Sequence, residues 1–351
     1  MRKHIQEMWK FICVYVLLIT CSFVNCDPNV PCYFIFGDSL SDAGNNNDLV
    51  TNAKANYAPY GVDFPGGLAT GRFTNGLTSV DILTGLVGIQ GLISPFSTAY
   101  GSEIRKGVNY ASGSVGILSK TGFHLGDRIW LSRQVKNHGI TISKLQSMVD
   151  GPVNKYLNKC LYTINIGNND YINNYFMPKL YSSKNDFNPD QFATLLVTEY
   201  EQLLQTLYEF GARRTAIFGL GLIGCIPAQM RMNNVTFCVK EINDAVDIMN
   251  QKLVKLVDSL NVKLVGAKFT FIDITAVQKA SPLSFDVTCC ELRSDYQCEA
   301  NVPPCDFRDV YAFMDGFHPT EILHKLIVEL SFNSPLDLFV HPVNIKTLIS
   351  S

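Results

Sequence analysis

The chain has 351 residues, of which 47% are apolar and 17% charged, a composition that suits a folded globular protein and excludes a disordered one. Its formal net charge is -2 and its basic residues form no strong cluster, which argues against nucleic acid and acidic membrane surfaces as partners. The sequence has no repeats, low-complexity tracts or linker-like stretches, so we expect one domain over about residues 30–345.

Residues 1–26 have the pattern of a cleaved secretory signal peptide. Arg2, Lys3 and Lys10 give a positive start, and the run from Phe11 to Val24 is almost continuously apolar. This run is too short to span a bilayer comfortably, and no later segment approaches a membrane span. We therefore expect a secreted protein without stable membrane insertion; a signal anchor or a buried first helix is the alternative.

Downstream of the leader, short apolar runs alternate with longer amphipathic segments. Four of the runs predict buried strands: Tyr33–Phe36, Leu161–Ile166, Thr215–Phe218 and Phe269–Ile272. The alternation of strands and helices predicts an α/β fold with a mostly parallel sheet covered on both sides. In such folds the chemistry lies at the carboxyl ends of strands, which gives weight to the polar motifs that follow them.

Two helices have clear ends in the sequence. Asn188 can cap the first, whose opening turn holds Pro189 and Asp190, and Gly211 stops it. The second covers about Cys238–Leu260. Each helix carries one apolar face at helical spacing, which we assign to the core and not to chemistry.

The first polar motif, Gly37-Asp38-Ser39-Leu40-Ser41-Asp42, directly follows the first predicted strand. A nucleophilic serine needs a sharp turn and a neighbouring backbone amide, and Gly37 permits such a turn. Ser39 is therefore a candidate nucleophile. The alternative is a polar turn with a helix cap, because Asp and Ser favour such positions.

Two further motifs can complete a catalytic site. Gly167-Asn168-Asn169-Asp170 follows the second predicted strand, and Asn side chains donate hydrogen bonds without charge, as an oxyanion pocket requires. An ordinary turn is the alternative there. Near the C-terminus, Asp315 precedes His318 by three residues in a loop with Gly and Pro, a spacing that can place both side chains on one side of the turn. A catalytic base needs an orienting partner, and His318 is the histidine with such a carboxylate close in sequence.

Cysteine usage agrees with export. Eleven cysteines are present, three of them within the leader, and the even number that remains suggests disulfides. Cys225 and Cys238 flank a short loop with an N-glycosylation sequon at Asn234, and we predict a disulfide between them. A turn-rich cluster follows, with Cys289, Cys290, Cys298 and Cys305. We predict at least one disulfide within it and no metal, since a zinc site there would lack Cys-x-x-Cys pairs and a nearby His at ligand spacing.

Together these motifs resemble the plant-type GDSL esterase/lipase family of the SGNH hydrolases, over nearly all of the chain after the leader. The matching blocks are Gly37–Leu40, Gly71–Gly76, Asn109–Gly113, Ile166–Tyr171 and Asp315–Glu321. Five blocks in the family's order argue strongly against chance similarity. The resemblance implies a three-layer α/β/α sandwich around a mostly parallel sheet, the flavodoxin-like arrangement of SGNH hydrolases.

The resemblance also implies a reaction. Ser39 would attack an ester carbonyl, with His318 as the base and Asp315 holding the imidazole. The amides of Ser39 and Gly113 and the side chain of Asn169 would form the oxyanion hole. An acyl-enzyme would form and be hydrolysed by water that His318 activates. Neither a metal nor an organic cofactor is required, and the expected partner is a small-molecule ester of a lipid, a sugar or another acylated compound.

The sequence departs from the family pattern outside the catalytic positions. Ser114 stands where a second Gly is common, Glu291 where Gly usually follows the vicinal cysteines, and Met314 where Trp often precedes the final Asp. Leu222–Pro227 replaces a more usual Pro-Leu-Gly-Cys-Ile-Pro. We expect these changes to affect substrate fit and local rigidity. Two alternatives stay open at this point: an acyltransferase that uses the same site, and a non-catalytic binding protein on the same fold.

Overall fold

The structure is a computed structural model that describes residues 30–334 and 337–350. The predicted signal peptide lies outside these residues. Within them, no helix is both long enough and apolar enough to cross a membrane. The strands of this part of the chain are, in order, β1 (Tyr33–Gly37), β2 (Leu161–Asn165), β3 (Arg214–Phe218), β4 (Lys268–Ile272), β5 (Ser284–Thr288), β6 (Tyr311–Phe313) and β7 (Val340–His341).

The central sheet has the order β1-β2-β3-β4-β7, in which β1 to β4 run parallel and β7 pairs antiparallel with β4. β5 and β6 form a separate parallel pair. The register aligns Gly37 with Asn165 and Asn165 with Phe218, so the carboxyl ends of neighbouring strands lie at one edge of the sheet. Strands β1 and β2 are buried along their whole length, because helices cover both faces. The four predicted strands are confirmed, with small shifts at their ends.

The helices alternate with the strands along the chain. They are α1 (Ser79–Leu86), α2 (Leu131–Leu145), α3 (Val153–Leu157), α4 (Asn168–Asp170), α5 (Ser183–Asp186), α6 (Pro189–Glu209), α7 (Pro227–Met232), α8 (Lys240–Lys263), α9 (Ile274–Ala280), α10 (Glu321–Phe332) and α11 (Ile345–Ser350). A π-helical turn, Tyr171–Tyr175, follows α4 directly. Shorter 3-10 turns cover Gly101–Lys106, Phe123–Leu125, Ile223–Cys225 and Arg308–Val310.

Two groups of helices enclose the sheet. In one group α2 contacts β1 and α6, and α6 packs along α8, which also contacts β4. In the other group α10 contacts α1, α9 and α11, and α11 lies on β3 and β4. The predicted three-layer α/β/α architecture with a mostly parallel sheet is therefore confirmed.

The two long helices form where the sequence predicts them. At the start of α6, the Asn188 side chain accepts a 2.9 Å hydrogen bond from the Gln191 N–H, and the Gln191 side chain bonds back to the Asn188 N–H. Gly211 follows the helix with a φ of 110°, a conformation that favours glycine. The predicted inner face of α8 is buried throughout: Ile242, Ala245, Val246, Met249, Leu253, Leu256 and Leu260. Burial of each large side chain on such a face contributes roughly 1.5–3 kcal/mol.

Four disulfides are present in the part of the chain that the structure describes. The predicted Cys225–Cys238 bond is confirmed, and the later cluster contains two bonds, Cys289–Cys305 and Cys290–Cys298. The fourth, Cys32–Cys160, was not predicted and joins residues 128 positions apart in the sequence. These two cysteines meet because each directly precedes a strand, and β1 and β2 are neighbours in the sheet.

Candidate active site

A cavity of about 510 Å³ lies at the carboxyl edge of the central sheet. Ser39 lines it from the end of β1, and Asn168 and Asn169 line it from the end of β2. Gly219 contributes from the end of β3, and His318 from the loop between β6 and α10. The sheet thus gathers motifs that are far apart in the sequence into one wall.

The turn after β1 presents the Ser39 side chain to this cavity. The N–H groups of Ser41 and Asp42 both donate to the Asp38 carbonyl at 3.1 Å, which closes a tight helical turn around Ser39. A Cβ at Gly37 would lie 2.5 Å from the Asn165 carbonyl oxygen of β2, so this position requires glycine. The sharp turn that the motif predicts is present, and the close approach of β1 and β2 leaves room only for glycine at its start.

Ser39, His318 and Asp315 form a continuous hydrogen-bonded path. Nε2 of His318 lies 2.9 Å from Oγ of Ser39, and Nδ1 lies 2.9 Å from Oδ1 and 2.8 Å from Oδ2 of Asp315. Asp315 is 0% exposed, whereas Ser39 and His318 keep 8% and 7% at the cavity wall. This is the geometry in which an imidazole can take a serine proton while a carboxylate orients it.

Every oxygen of Asp315 has a donor. Oδ1 accepts the backbone N–H groups of Phe317 and His318, each at 2.8 Å, so the local turn itself holds the carboxylate. Oδ2 accepts the hydroxyl of Tyr60 at 2.5 Å. Burial, and then the negative charge of Asp315, raise the pKa of Tyr60 well above its ordinary value. Tyr60 belongs to none of the polar motifs, so no sequence pattern predicts its contact with Asp315.

The block Gly71–Gly76 forms an apolar wall beside the imidazole. The ring of Phe73 packs against the His318 ring with centroids 4.7 Å apart. Arg72 holds this block through a buried bidentate pair with Asp81, at 2.7 and 2.8 Å. Burial opposes the charge on Asp81, but Arg72 overcomes it and lowers the pKa of that carboxyl. The block therefore packs against the His318 ring from one side.

The predicted oxyanion donors differ in whether their N–H groups already have an acceptor within the protein. No acceptor for the Ser39 N–H is found among residues 30–334 and 337–350. Asn169 lines the cavity and gives one amide hydrogen to the Val115 carbonyl at 3.0 Å, which leaves its second hydrogen for a substrate. Gly113 is buried beside Phe73, but its N–H donates to Oδ2 of Asp42 at 3.0 Å.

Ser114, next to Gly113, has features of an alternative donor. It lines the cavity and is buried, with a φ of 68° that is uncommon for a residue other than glycine. Its hydroxyl has no hydrogen-bond partner, and no acceptor for its N–H is found in the described part of the chain. In the sequence this position differs from the family pattern only by having Ser in place of Gly.

Three buried carboxyl groups brace the loops around the cavity. Asp42 accepts the N–H groups of Gly44, Asn45 and Gly113, and burial raises its pKa to about 6. Asp170 accepts two backbone N–H groups and the Thr121 hydroxyl, and burial raises its pKa to about 6 as well. Burial raises the pKa of Asp38 to about 7, and its Oδ2 has no partner among the described residues. The first two act as hubs for separate loops, a role that local sequence does not reveal.

Comparison with known proteins agrees with this geometry. The family model described as "GDSL-like Lipase/Acylhydrolase" matches residues 33–331, a span that contains every element around the cavity. The chain belongs to this family. The GDSL esterase/lipase At1g29660 of Arabidopsis thaliana is 42% identical to the chain over 364 aligned positions, covering 99% of each.

Other relatives in the same plant show similar agreement with this GDSL chain. The GDSL esterase/lipase At4g18970 is 45% identical and aligns over 92% of this chain and 93% of its own length. The GDSL esterase/lipase At5g45670 is 41% identical, with 96% of this chain and 98% of its own length aligned. The likeness thus extends over nearly the whole of both proteins.

The departures from the GDSL pattern fall in two kinds of place. Ser114 and Ile223 line the cavity, so they can affect the fit of a substrate. Met314 is fully buried next to Asp315, and Glu291 is exposed on the surface. None of them lies within the hydrogen-bonded path from the aspartate to the serine.

Proposed function

We propose that this protein is a secreted carboxylic ester hydrolase that works through an acyl-enzyme on Ser39. The observation that carries the proposal is the unbroken path from Asp315 through His318 to Ser39 at the cavity wall. Family membership supports the same class of reaction, because the similar plant proteins are named as esterase/lipases.

The first step is attack of Ser39 on the ester carbonyl. Nε2 of His318 accepts the Oγ proton as the new carbon–oxygen bond forms. Asp315 keeps the Nδ1 proton in place and stabilises the positive imidazolium that results. The imidazolium then gives its proton to the leaving alcohol. In the second step the same ring activates water, which releases the acid and restores Ser39.

The negative oxygen of the tetrahedral intermediate needs donors that are already in place. The Ser39 N–H and the second amide hydrogen of Asn169 supply two of them. Gly113 is the third predicted donor, and its N–H would have to be shared with Asp42. The neighbouring Ser114 N–H can replace it without that competition.

The cavity lining favours an ester with a sizeable apolar portion. Aliphatic, thioether and aromatic side chains from the segments after β2 and β3 form much of the wall: Ile172, Phe176, Met177, Ile223, Ile226 and Met232. A mostly apolar cavity with a few convergent polar groups binds small organic ligands by burial and orients them by hydrogen bonds. We infer lipid esters or other acylated small molecules, including acylated sugars, as the substrates.

Secretion is supported by the covalent chemistry of the chain. Its disulfides require an oxidising compartment to form and persist. Asn234 is exposed in the loop closed by the Cys225–Cys238 bond, where a glycan can be accommodated. Both features agree with the signal-peptide pattern of residues 1–26.

Replacing the nucleophile tests the proposal directly. We expect Ser39→Ala to abolish hydrolysis of a panel of p-nitrophenyl esters of rising chain length and of acetylated sugars, with no loss of folding. The matched control is Ser41→Ala, which removes a buried hydroxyl without a partner from the same turn and should retain activity. Substantial turnover by Ser39→Ala, or a fluorophosphonate adduct on another residue, would contradict the assignment. Product analysis with added alcohols or sugars separates hydrolysis from acyl transfer.

A further inference from the structure

Tyr60 makes a buried contact with Asp315 that no sequence motif assigns. Its hydroxyl donates a 2.5 Å hydrogen bond to Oδ2 of Asp315, and the two residues are 1% and 0% exposed. Hydrogen bonds to a charged acceptor are about twice as strong as neutral ones, and a buried carboxylate has no water to replace a missing donor. The contact therefore bears on the residue that orients the catalytic base.

The direction of this hydrogen bond is determined by a second contact. The backbone N–H of Cys298 donates to the Tyr60 hydroxyl oxygen at 3.2 Å. Because an N–H cannot accept, the one hydrogen of the hydroxyl is left for Asp315. Burial and the neighbouring carboxylate keep the pKa of Tyr60 well above its ordinary value, so the hydroxyl remains a donor wherever an imidazole can titrate.

We propose that Tyr60 is a positioning residue of the catalytic triad, whose hydroxyl holds Oδ2 and takes up part of the Asp315 charge. This proposal rests on the ester hydrolase function proposed above. Tyr60 acts through Asp315, so that the carboxylate orients His318 without binding its protonated form too tightly. If imidazolium is stabilised too strongly, more of the ring is already protonated before the reaction, and imidazolium cannot accept the Ser39 proton.

A rigid frame supports this role. The Tyr60 ring packs edge-on against Tyr57, with centroids 5.2 Å apart, and near Phe73, which in turn lies on His318. Cys298 is tied to Cys290 by a disulfide, and the Cys290 N–H donates to the carbonyl of Met314, the residue before Asp315, at 3.0 Å. The donor and the acceptor are therefore held by the same braced segment.

Other titratable groups around the triad set the conditions for a test. Asp38 and His324 interact electrostatically with His318, and Tyr57 interacts with Asp315. Burial raises the pKa of Asp38 to about 7 and lowers that of His324 to about 4. Burial raises the pKa of Tyr57 to about 12, so its hydroxyl is neutral where an imidazole titrates. The test must therefore compare variants that leave Asp38 and His324 unchanged, and not rely on one pH profile.

The decisive variant is Tyr60→Phe, which removes only the hydroxyl. We expect kcat to fall about tenfold or more, with little change in KM because Tyr60 does not line the cavity. Without its donor the carboxylate stabilises imidazolium more strongly, so the acidic limb of kcat/KM should move to higher pH by about half a unit or more. A purely structural defect would lower the amount of folded enzyme without moving this limb.

The matched control is Tyr57→Phe. Its hydroxyl donates to the Cys298 carbonyl at 3.0 Å, in the same cluster, and makes no hydrogen bond to Asp315. This variant should keep the wild-type kcat and pH profile. In an Asp315→Asn background, Tyr60→Phe should cause almost no further loss, because the two residues act on the base in series.

A substrate-independent measurement separates this proposal from the function on which it rests. The rate of Ser39 labelling by a fluorophosphonate reports the activated serine whatever the natural ester is. Absence of labelling in the wild type would overturn both proposals. If the wild type is labelled and turns over normally but Tyr60→Phe and Tyr57→Phe behave alike, only the role of Tyr60 is overturned. The same conclusion follows if the losses in kcat from Tyr60→Phe and Asp315→Asn multiply in the double variant.

Discussion

At the scale of single residues, neighbouring amides around the cavity have different freedom to bind an oxyanion. Gly113 gives its N–H to Asp42, whereas Ser114 holds a left-handed φ of 68° and has no acceptor for its N–H in the described residues. Such a backbone costs energy in a residue with a Cβ and persists where the surrounding structure imposes it. Asn169 differs from both because one of its two amide hydrogens is used to fix the side chain.

Asn169 is therefore the donor whose removal is easiest to interpret. We expect Asn169→Ala to lower kcat by about 10²–10³, with a smaller change in KM, because the lost hydrogen bond strengthens in the transition state. The measurement is steady-state kinetics with a p-nitrophenyl ester. The control is Asn173→Ala, which removes the 2.7 Å bond to Oδ1 of Asn169 but leaves the Nδ2 donor in place. A loss in Asn173→Ala as large as in Asn169→Ala would contradict the direct role.

At the scale of secondary-structure elements, helix α2 is fastened to the end of β1 by one buried side chain. Gln134 accepts a hydrogen bond from the Gly37 N–H at 3.0 Å and donates to the Gly37 carbonyl at 2.8 Å. Gly37 is the last residue of β1 and lies next to the turn that carries Ser39, and its carbonyl also accepts the Ser112 N–H at 3.1 Å. The helix thus holds the turn as well as covering the sheet.

Gln134→Leu should separate this function of α2 from simple packing. The substitution keeps the side-chain volume and leaves the buried Gly37 N–H unpaired, so we expect a loss of about 1–3 kcal/mol in the free energy of unfolding. We also expect kcat to fall about tenfold, because the Ser39 turn loses its anchor. Asn188→Ala removes the cap of α6 and should cost about 1 kcal/mol with no change in kcat. Equal activity in both variants would contradict the anchoring role.

At the scale of the whole molecule, a buried histidine and buried carboxyl groups have opposite effects on stability as the pH falls. Burial lowers the pKa of His138 to about 3, so the unfolded chain takes up a proton first as the pH falls below about 6.5. The stability that the neutral His138 ring contributes is therefore lost as the pH falls from about 6.5 to about 3. Asp42 and Asp170 act in the opposite direction, since their raised pKa values favour the folded form on mild acidification.

His138→Gln should make the protein less sensitive to acid. The variant removes the titrating ring from the contact with Tyr110, so its free energy of unfolding should fall less steeply than that of the wild type between about pH 6.5 and 3. The slopes of the free energy of unfolding against pH should differ by up to about 1.4 kcal/mol per pH unit, which corresponds to the uptake of one proton. Urea titrations at several pH values measure both slopes, and parallel slopes would contradict the assignment to His138.

Sequence patterns alone predict the four parallel strands, the capped helix α6 and the pairing of Asp315 with His318. These features are local: a strand is a short apolar run, a cap is Asn188 with its partner three residues on, and Asp315 and His318 share one turn. Local patterns suffice to predict these features because the interacting groups lie within a few residues of one another along the chain.

Only the tertiary structure decided which distant groups touch. Tyr60 meets Asp315 across 255 residues, Cys32 meets Cys160 across 128, and Gly113 turns its amide to Asp42 across 71. Each partner is an ordinary residue in its own segment, so no local pattern marks it. The order of the strands and the packing of the loops decide which of these residues meet. Both depend on the whole chain, because the sheet brings loops from distant segments to one edge.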